Sequence, residues 1–353
     1  MTIPTVSVLV DTYNHQSFIE QALVSVLEQD FGRENFEIVV IDDGSTDETP
    51  NIVKKFVPRV RHVYKTNGGQ GSAFNAGIAE LKGDIVAFLD GDDWWAPNKL
   101  RTVVETLERE PEAGSVGHGI IEHRGPGQQR VITPNAQFRL HLRDVSGACQ
   151  FRNVKAFLGT SRLTVRKRVL EKVLPVPPTL LFEADEYLFT TVTAVSDLLL
   201  LPQALTYYRL HGNNLFQYGT PDENRMRRKH HVLDGLVQTL PPALKQLGVS
   251  QPAIDAVIEP LWVHAERLRL SLEGGTPLET FRVEKAAFRI ANRDISLRYR
   301  MLKSAFLALG LILPPRRFFQ LRRWYVAKGY NRMGQWLRSA KPAAPVVHRW
   351  QEN

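Results

Sequence analysis

The sequence predicts an α/β fold, a mainly parallel sheet flanked by helices, followed by a C-terminal α-helical extension. Two observations predict the sheet. Short apolar runs rich in Val and Ile (residues 6–10, 38–41 and 85–89) alternate with stretches whose apolar residues recur at helical spacing. Acidic residues stand at the end of each run (Asp11, Asp42 with Asp43, and Asp90), where open sheets of this kind bind ligands. The extension is predicted by a third observation, the polar and then helical character of the chain beyond Tyr218. The division expected is an α/β domain over residues 1–220 and a helical region with a basic amphipathic tail over 221–353.

Taken in order, residues 6–10 read as a buried strand. Ser17 and Glu20 have the spacing of a capping box before Phe18, Ala22 and Val26. A second strand at 38–41 stops at Asp42-Asp43-Gly44, and Ser45 and Glu48 repeat the capping-box spacing. A short strand near Val63, a helix over 72–81, a strand at 85–89 and a helix begun by Pro97 continue the alternation. From 112 to 151 the pattern loosens and reads as sheet edge and loops. A strand at 163–165, helices at 167–174 and 182–195, and two strands flanking Pro202 close the domain.

The formal net charge of +8 is concentrated at one end. Residues 293–353 hold 13 Lys and Arg against Asp294 and Glu352, so the tail carries +11, and the 32 basic and 35 acidic residues before it leave −3. A local basic block fits an anionic surface facing the tail, not a nucleic-acid coat. Cys149 is the only cysteine, which excludes an internal disulfide framework and suits a reducing cytoplasm. The first 13 residues lack the basic start of a signal peptide, and the apolar run 305–313 falls short of the ~20 residues that cross a bilayer.

Asp90-Gly91-Asp92-Asp93 ends a buried strand. Clustered carboxylates repel one another unless a cation or a set of hydroxyls compensates them, and few oxygen ligands suit Mg²⁺ or Mn²⁺. The same letters also serve as an ordinary polar turn. Asp42-Asp43-Gly44-Ser45-Thr46-Asp47 sits on another strand end, where carboxylates can accept base N–H groups or ribose hydroxyls. Asn67-Gly68-Gly69-Gln70-Gly71, followed by Asn75-Ala76-Gly77, supplies backbone able to approach a ligand closely.

These three runs, together with Asp11-Thr12-Tyr13-Asn14, resemble in order and spacing the successive motifs of family 2 glycosyltransferases, over roughly residues 4–215. The resemblance implies a GT-A fold (a Rossmann-like nucleotide-binding sheet), an inverting reaction, a nucleoside diphosphate sugar donor and a Mn²⁺ or Mg²⁺ cofactor. By that correspondence Asp11 and Tyr13 line the base pocket, Asp42 or Asp43 meets the base, Asp90 lies near the ribose and Asp92 ligates the metal. Asn67 and Gly71 belong to the loop that approaches the donor. Many relatives carry Arg where this chain has Phe74, so a phosphate contact is missing or is supplied by Gln70 or Arg209.

Inverting transfer needs one general base. Phe182-Glu183-Ala184-Asp185-Glu186-Tyr187-Leu188 resembles the family's acidic motif at a helix start, with Asp185 as base and Glu186 as second choice. An acidic first turn favoured by the helix dipole is the plainer reading of the same residues. Tyr207-Tyr208-Arg209-Leu210-His211 resembles a further family element, in which Arg209 can neutralise phosphate charge and His211 can donate to phosphate or complete the metal shell. Thr160-Ser161-Arg162 reads as surface loop, with contact to the acceptor as the alternative. Gln320-Leu321-Arg322-Arg323-Trp324 has the letters of a processive-synthase motif, but stands far from the base in an Arg-rich stretch and reads as coincidence.

The expected function is sugar transfer to an acceptor hydroxyl, saccharide or lipid-linked, in bacterial surface polysaccharide or glycolipid assembly. The alternatives are a sugar nucleotidyltransferase, which wants a basic Gly-rich loop after the first strand, and a non-catalytic nucleotide- or nucleic-acid-binding protein, whose paired aromatics are missing. No nucleic-acid partner is expected. Residues 305–338 mix Arg with Phe, Leu, Trp and Tyr, which suits an anionic membrane surface on the inner face, with a helix packed on the catalytic domain as the competing reading.

Overall fold

The computed structural model describes residues 6–211, 222–291, 304 and 307–327. Strands β1 (Val6–Thr12), β2 (Phe36–Asp42), β3 (Arg61–Tyr64) and β4 (Ile85–Asp90) alternate with helices α1 (Ile19–Leu27), α2 (Thr49–Lys54) and α3 (Gln70–Glu80). All four strands pair in parallel, in the order β3-β2-β1-β4. The three inner strands β1, β2 and β4 are mostly apolar because both faces are covered. Val6, Val8, Val10, Val40, Ile85 and Leu89 lie in one fully buried cluster with Ile19, Leu23 and Val26 of α1, and Leu9, Val39, Ile41 and Phe88 are buried on the other face.

Beyond β4 come β5 (Trp94–Trp95), α4 (Lys99–Arg109), β6 (Ala113–His123), β7 (Gln129–Ile132), β8 (Phe138–Leu140) and α5 (Val145–Val154). Then follow β9 (Thr164–Arg166), α6 (Lys167–Leu170), α7 (Ala184–Val195) and β10 (Asp197–Arg209). The sheet continues from β4 as β9-β6-β10-β5, with β9 antiparallel to β4 and β6, and β10 parallel to β6. The expected class holds: a mostly parallel mixed sheet between helices, with helices following it.

Four local expectations are corrected. Residues 113–123, expected as edge and loops, form an interior strand between β9 and β10. Its Gly117 hides the apolar period because the space a side chain would fill is taken by Leu158 Cδ2, 2.8 Å from an added Cβ. Neither capping box forms. The amides of Phe18 and Ile19 both bond His15 O, at 2.9 Å, and Ser45 Oγ accepts from Asn14 N at 2.9 Å instead of capping α2. The two strands around Pro202 are one strand with irregular register at 201–206. The helix expected at 167–174 stops at Leu170.

The chain divides into two compact units, residues 1–212 with 239–254, and 213–238 with 255–353. The boundary expected at 220 lies outside the described residues. The second unit draws on α8 (Glu223–Gln246), α9 (Gln251–Leu272), α10 (Pro277–Ala291) and α11 (Pro315–Ala327). Its core gathers Val263, Leu270, Val283, Ala286, Phe318 and Phe319. Phe318 and Phe319, expected to enter a membrane, are therefore core residues; 305–306 and 328–338 of the proposed membrane segment lie outside the described residues. Among the described residues no helix is long and apolar enough to cross a membrane.

Candidate active site

The parallel register sets the site. Asp11 on β1 pairs with Asp90 on β4, and Thr12 with Asp42 on β2, so the strand ends deliver their carboxylates to one rim. The chain after β4 adds Asp92 and Asp93. Ligand oxygens of Asp90, Asp92 and Asp93 all lie within 4.8 Å of one another. Asp11 Oδ1 is buried without a hydrogen-bond partner. Burial, and after it the charge of Asp92, raises the Asp11 carboxyl to about 8. The same two causes raise Asp93 to about 8. Asp90 is raised well above the ordinary range by burial and by Asp11, Asp92, Asp93 and Asp185.

Asp92 behaves differently. Burial pushes its pKa up, but the His211 hydrogen bond and the charges of His15 and His211 outweigh this and hold it below the usual value. His211 Nε2 stands 3.0 Å from Asp92 Oδ2, and His15 Nε2 stands 3.9 Å from the same oxygen. His15 was not singled out from the sequence; its ring is anchored by Thr12 Oγ1 at 3.2 Å. Gly91 keeps this corner open, since an added Cβ would lie 2.7 Å from Thr12 Oγ1 and 2.8 Å from His15 Nδ1.

Arg209 pins the acidic loop. Its backbone N–H donates to Asp93 Oδ1 (2.9 Å), Nε to the Asp92 carbonyl (2.8 Å) and Nη2 to Gln21 Oε1 (2.6 Å). Its guanidinium lies between the rings of Phe18 and Trp94, 4.8 and 4.4 Å from their centroids, and Trp94 stacks on Tyr207. Much of its capacity thus holds the loop in place.

The residues expected at the base are embedded. Asp42 is fully buried, accepts from Ser45 N at 2.8 Å and lies 3.7 Å from His62 Nε2. Asp43 takes Lys65 Nζ (2.5 Å) and the amides of Gly68 and Gly69 (3.0 and 2.7 Å), so it fixes the glycine-rich loop. Tyr13 is 45% exposed and Asn67 is exposed at the rim, whereas Gly71 packs close to Leu180 O and Val176. Phe74, where the family resemblance led us to expect Arg, is fully buried against Phe88.

Across the rim, α7 begins with Asp185 and Glu186. Asp185 accepts from Glu186 N at 2.8 Å and Thr160 N at 3.3 Å, and burial, then the Glu186 charge, raises its pKa. Glu186 is held by Lys155 Nζ at 2.7 Å. Thr160 and Ser161, expected as surface loop, are 3% exposed and built into the site. Ser161 Oγ donates to Asp90 Oδ2 at 3.2 Å, and Gln70 Nε2 donates to Asp90 Oδ1 (3.3 Å) and Thr160 Oγ1 (3.2 Å). A Thr-Ser pair in a loop carries no signal of its own, so only the fold reveals it.

Residues 7–174 match the model of glycosyl transferase family 2. The chain carries a family 2 glycosyltransferase domain. The chain is 34% identical over 215 residues to an uncharacterized glycosyltransferase of Nostoc sp., covering 59% of this chain and 66% of that protein. Over 148 residues it is 34% identical to one of Rickettsia felis, covering 40% and 24%. The chain thus spans less than two thirds of the length of these relatives. Among solved structures it is similar to Staphylococcus aureus TarS residues 1–349 in complex with UDP-GlcNAc, at a TM-score of 0.58 and 19% identity, covering 94% of this chain and 92% of that one. The longer TarS chain gives 0.57 at 20% identity, covering 87% and 53%. At that identity the likeness speaks for the transferase domain's fold alone.

Proposed function

We propose that the chain is an inverting GT-A glycosyltransferase that moves a sugar from a nucleoside diphosphate sugar to an acceptor hydroxyl. One observation carries the reading: Asp90, Asp92 and Asp93 lie within 4.8 Å of one another on a rim whose charge is also felt from Asp185 at the start of α7. Asp92, flanked by His211, with Asp90 and Asp93 offers an oxygen-rich donor set suited to Mn²⁺ or Mg²⁺, and the partnerless Asp11 Oδ1 beside it is a buried acceptor the protein does not satisfy. Bound there, the cation supplies Lewis-acid stabilisation of the departing diphosphate.

Asp185 takes the acceptor proton. The amides of Thr160 and Glu186 orient its carboxylate, and burial raises its basicity toward the working pH. Glu186, held by Lys155, is the weaker candidate. For the donor, Tyr13, Asn67 and the wall built by Asp42 and Asp43 form the nucleotide side, and the UDP-GlcNAc complex of TarS supports a nucleoside diphosphate sugar as the ligand class. Incubation with UDP-, GDP- and dTDP-sugars and Mn²⁺ should release nucleoside diphosphate, with inverted anomeric configuration in the product by NMR. Turnover of none of them, or a retained configuration, refutes the reading.

The same proposal places the acceptor among saccharide or lipid-linked hydroxyls of surface polysaccharide assembly, on the inner face of an anionic membrane. With Phe318 and Phe319 buried, support for the membrane rests on the opposite side of α11. There Arg317, Gln320, Leu321 and Trp324 fall at i, i+3, i+4 and i+7 and are exposed, Trp324 to 51%. Cosedimentation with phosphatidylglycerol vesicles should fall with rising salt and be lost on Leu321→Ser with Trp324→Ser. Equal binding by the variant places the contact elsewhere.

A further inference from the structure

Helix α7 carries Asp185 in its first turn, yet its N-terminus is not capped by its own flanking residue. The residue before it, Glu183, has the left-handed backbone conformation (φ 50°) and makes no side-chain cap. The first N–H groups of a helix have no partner inside it, and one left unsatisfied loosens the end. Here the first, Ala184 N–H, donates across the chain to Gln70 Oε1 at 3.0 Å.

That bond fixes the rest of the amide. With its oxygen facing Ala184, the nitrogen of Gln70 faces the rim, 3.2 Å from Thr160 Oγ1, 3.3 Å from Asp90 Oδ1 and 3.5 Å from Asp11 Oδ2. Two amide hydrogens serve these acceptors. Thr160 in turn donates its N–H to Asp185 Oδ2. The contacts close a ring, from Gln70 to Thr160 to Asp185 and back through Ala184 to Gln70. The backbone of Gln70 adds a bond to Leu181 O at 2.9 Å. At a single point the ring therefore joins the strand ends that bear Asp11 and Asp90 to the helix that bears Asp185.

We infer that Gln70 is a positioning residue, which caps α7 from α3 and holds Asp185 at a fixed separation from the carboxylate rim. Only an amide of this length serves. Leu lacks both polar functions, Asn is a methylene short, and ionised Glu keeps the acceptor for Ala184 N–H but loses the donors. The kinetic part of the inference rests on Asp185 being the base; the structural part does not.

The test is hydrogen exchange on the full-length chain without ligand, followed by kinetics. In Gln70→Leu the amides of residues 183–188 should exchange about tenfold faster, with peptides from β1 and α4 unchanged. Gln70→Glu should restore exchange to within about threefold of the parent, since it keeps the cap. With any donor the parent turns over, kcat for transfer in Gln70→Leu should fall about 30- to 100-fold, the range for a reacting group displaced by about 1 Å, while donor KM stays within about threefold. Unchanged exchange at 183–188, or a rise spread evenly over the chain, overturns the inference. So does a loss confined to donor KM, which puts the action of Gln70 on the donor side. Should Gln70→Leu not fold, Gln70→Asn carries the same expectations. If the parent turns over no sugar donor, the enzymatic reading fails while the exchange result still decides the cap.

Discussion

Replacing Asp92 by Asn exchanges one carboxylate oxygen for an NH₂ and removes one negative charge, without touching what holds the loop. Arg209 bonds the Asp92 backbone carbonyl, and the Arg209 amide bonds Asp93. The fold should therefore persist. The magnitude follows from the charge lost. A unit charge about 4 Å from another at an effective dielectric of roughly 20 interacts by about 4 kcal/mol. Asp90 and Asp93 still face the cation after the substitution, so the magnitude is taken for one unit of charge on each side. At about 1.4 kcal/mol per tenfold, the loss is roughly a thousandfold in turnover. The assay is nucleoside diphosphate release with Mn²⁺ titrated into metal-free protein, alongside the melting temperature with and without Mn²⁺. The parent should gain stability as metal saturates, about 2.7 kcal/mol at 100 times the dissociation constant, and Asp92→Asn should lose most of that gain. If the variant turns over donor at the parental rate, and EDTA leaves both proteins active, the metal-dependent reasoning is refuted.

Asp185→Asn should abolish transfer while calorimetry shows Mn²⁺-dependent nucleotide binding little changed; a dead Glu186→Gln beside an active Asp185→Asn would move the base by one residue. Metal-free stability should fall as pH rises from about 4 to about 8. The Asp11 and Asp93 carboxyls titrate near 8 in the fold and near 4 when unfolded, so their contribution is complete below the unfolded value and lost as pH passes the folded one. Added Mn²⁺ should flatten that slope, and melting curves that rise with pH without metal contradict it. Phe74→Arg, the residue many relatives carry, should lower stability by about 3 kcal/mol or more, because a guanidinium replaces a fully buried ring packed on Phe88. A variant as stable as the parent would show that the side chain escapes to the rim.

The strands and helices of the first half were legible because each is a local pattern with one explanation. The runs at 6–10, 38–41 and 85–89 are apolar on both faces since the sheet they form is covered twice. The sequence could not show β6, because Gly117 leaves room for Leu158 and so erases the period. Nor did the capping-box spacings decide the helix starts: Ser45 is drawn off by Asn14, a residue 31 positions away. The acidic rim was readable as letters at strand ends. Its pinning by Arg209, the approach of His15 and the entry of Thr160 and Ser161 were not, since each depends on loops that meet only after the sheet is assembled. In the tail, composition fixed the charge but not the direction of the aromatics, and Phe318 and Phe319 turned inward where i, i+1 neighbours both found room in the core.

The crowding of the rim bears on the proposal that a cation binds there. Asp11, Asp90, Asp92, Asp93 and Asp185 are coupled through their charges, and among the described residues few cations stand against them. His211 and His15 act on Asp92, Lys65 is engaged by Asp43, and Lys155 is engaged by Glu186. Arg162 and the Arg209 amide favour the charged form of Asp93, yet its carboxyl still sits at about 8. A protein selecting for stability alone would replace such a cluster with Asn or Ser. Keeping five acids where two, Asp11 and Asp93, are raised to about 8 is sensible if a bound cation removes the repulsion, because then the same arrangement that costs stability when empty contributes binding energy when filled. Neutralising Asp90, the residue with the most like-charged neighbours, should on this argument raise metal-free stability while weakening the response to Mn²⁺, and a variant that shifts both in the same direction would contradict it.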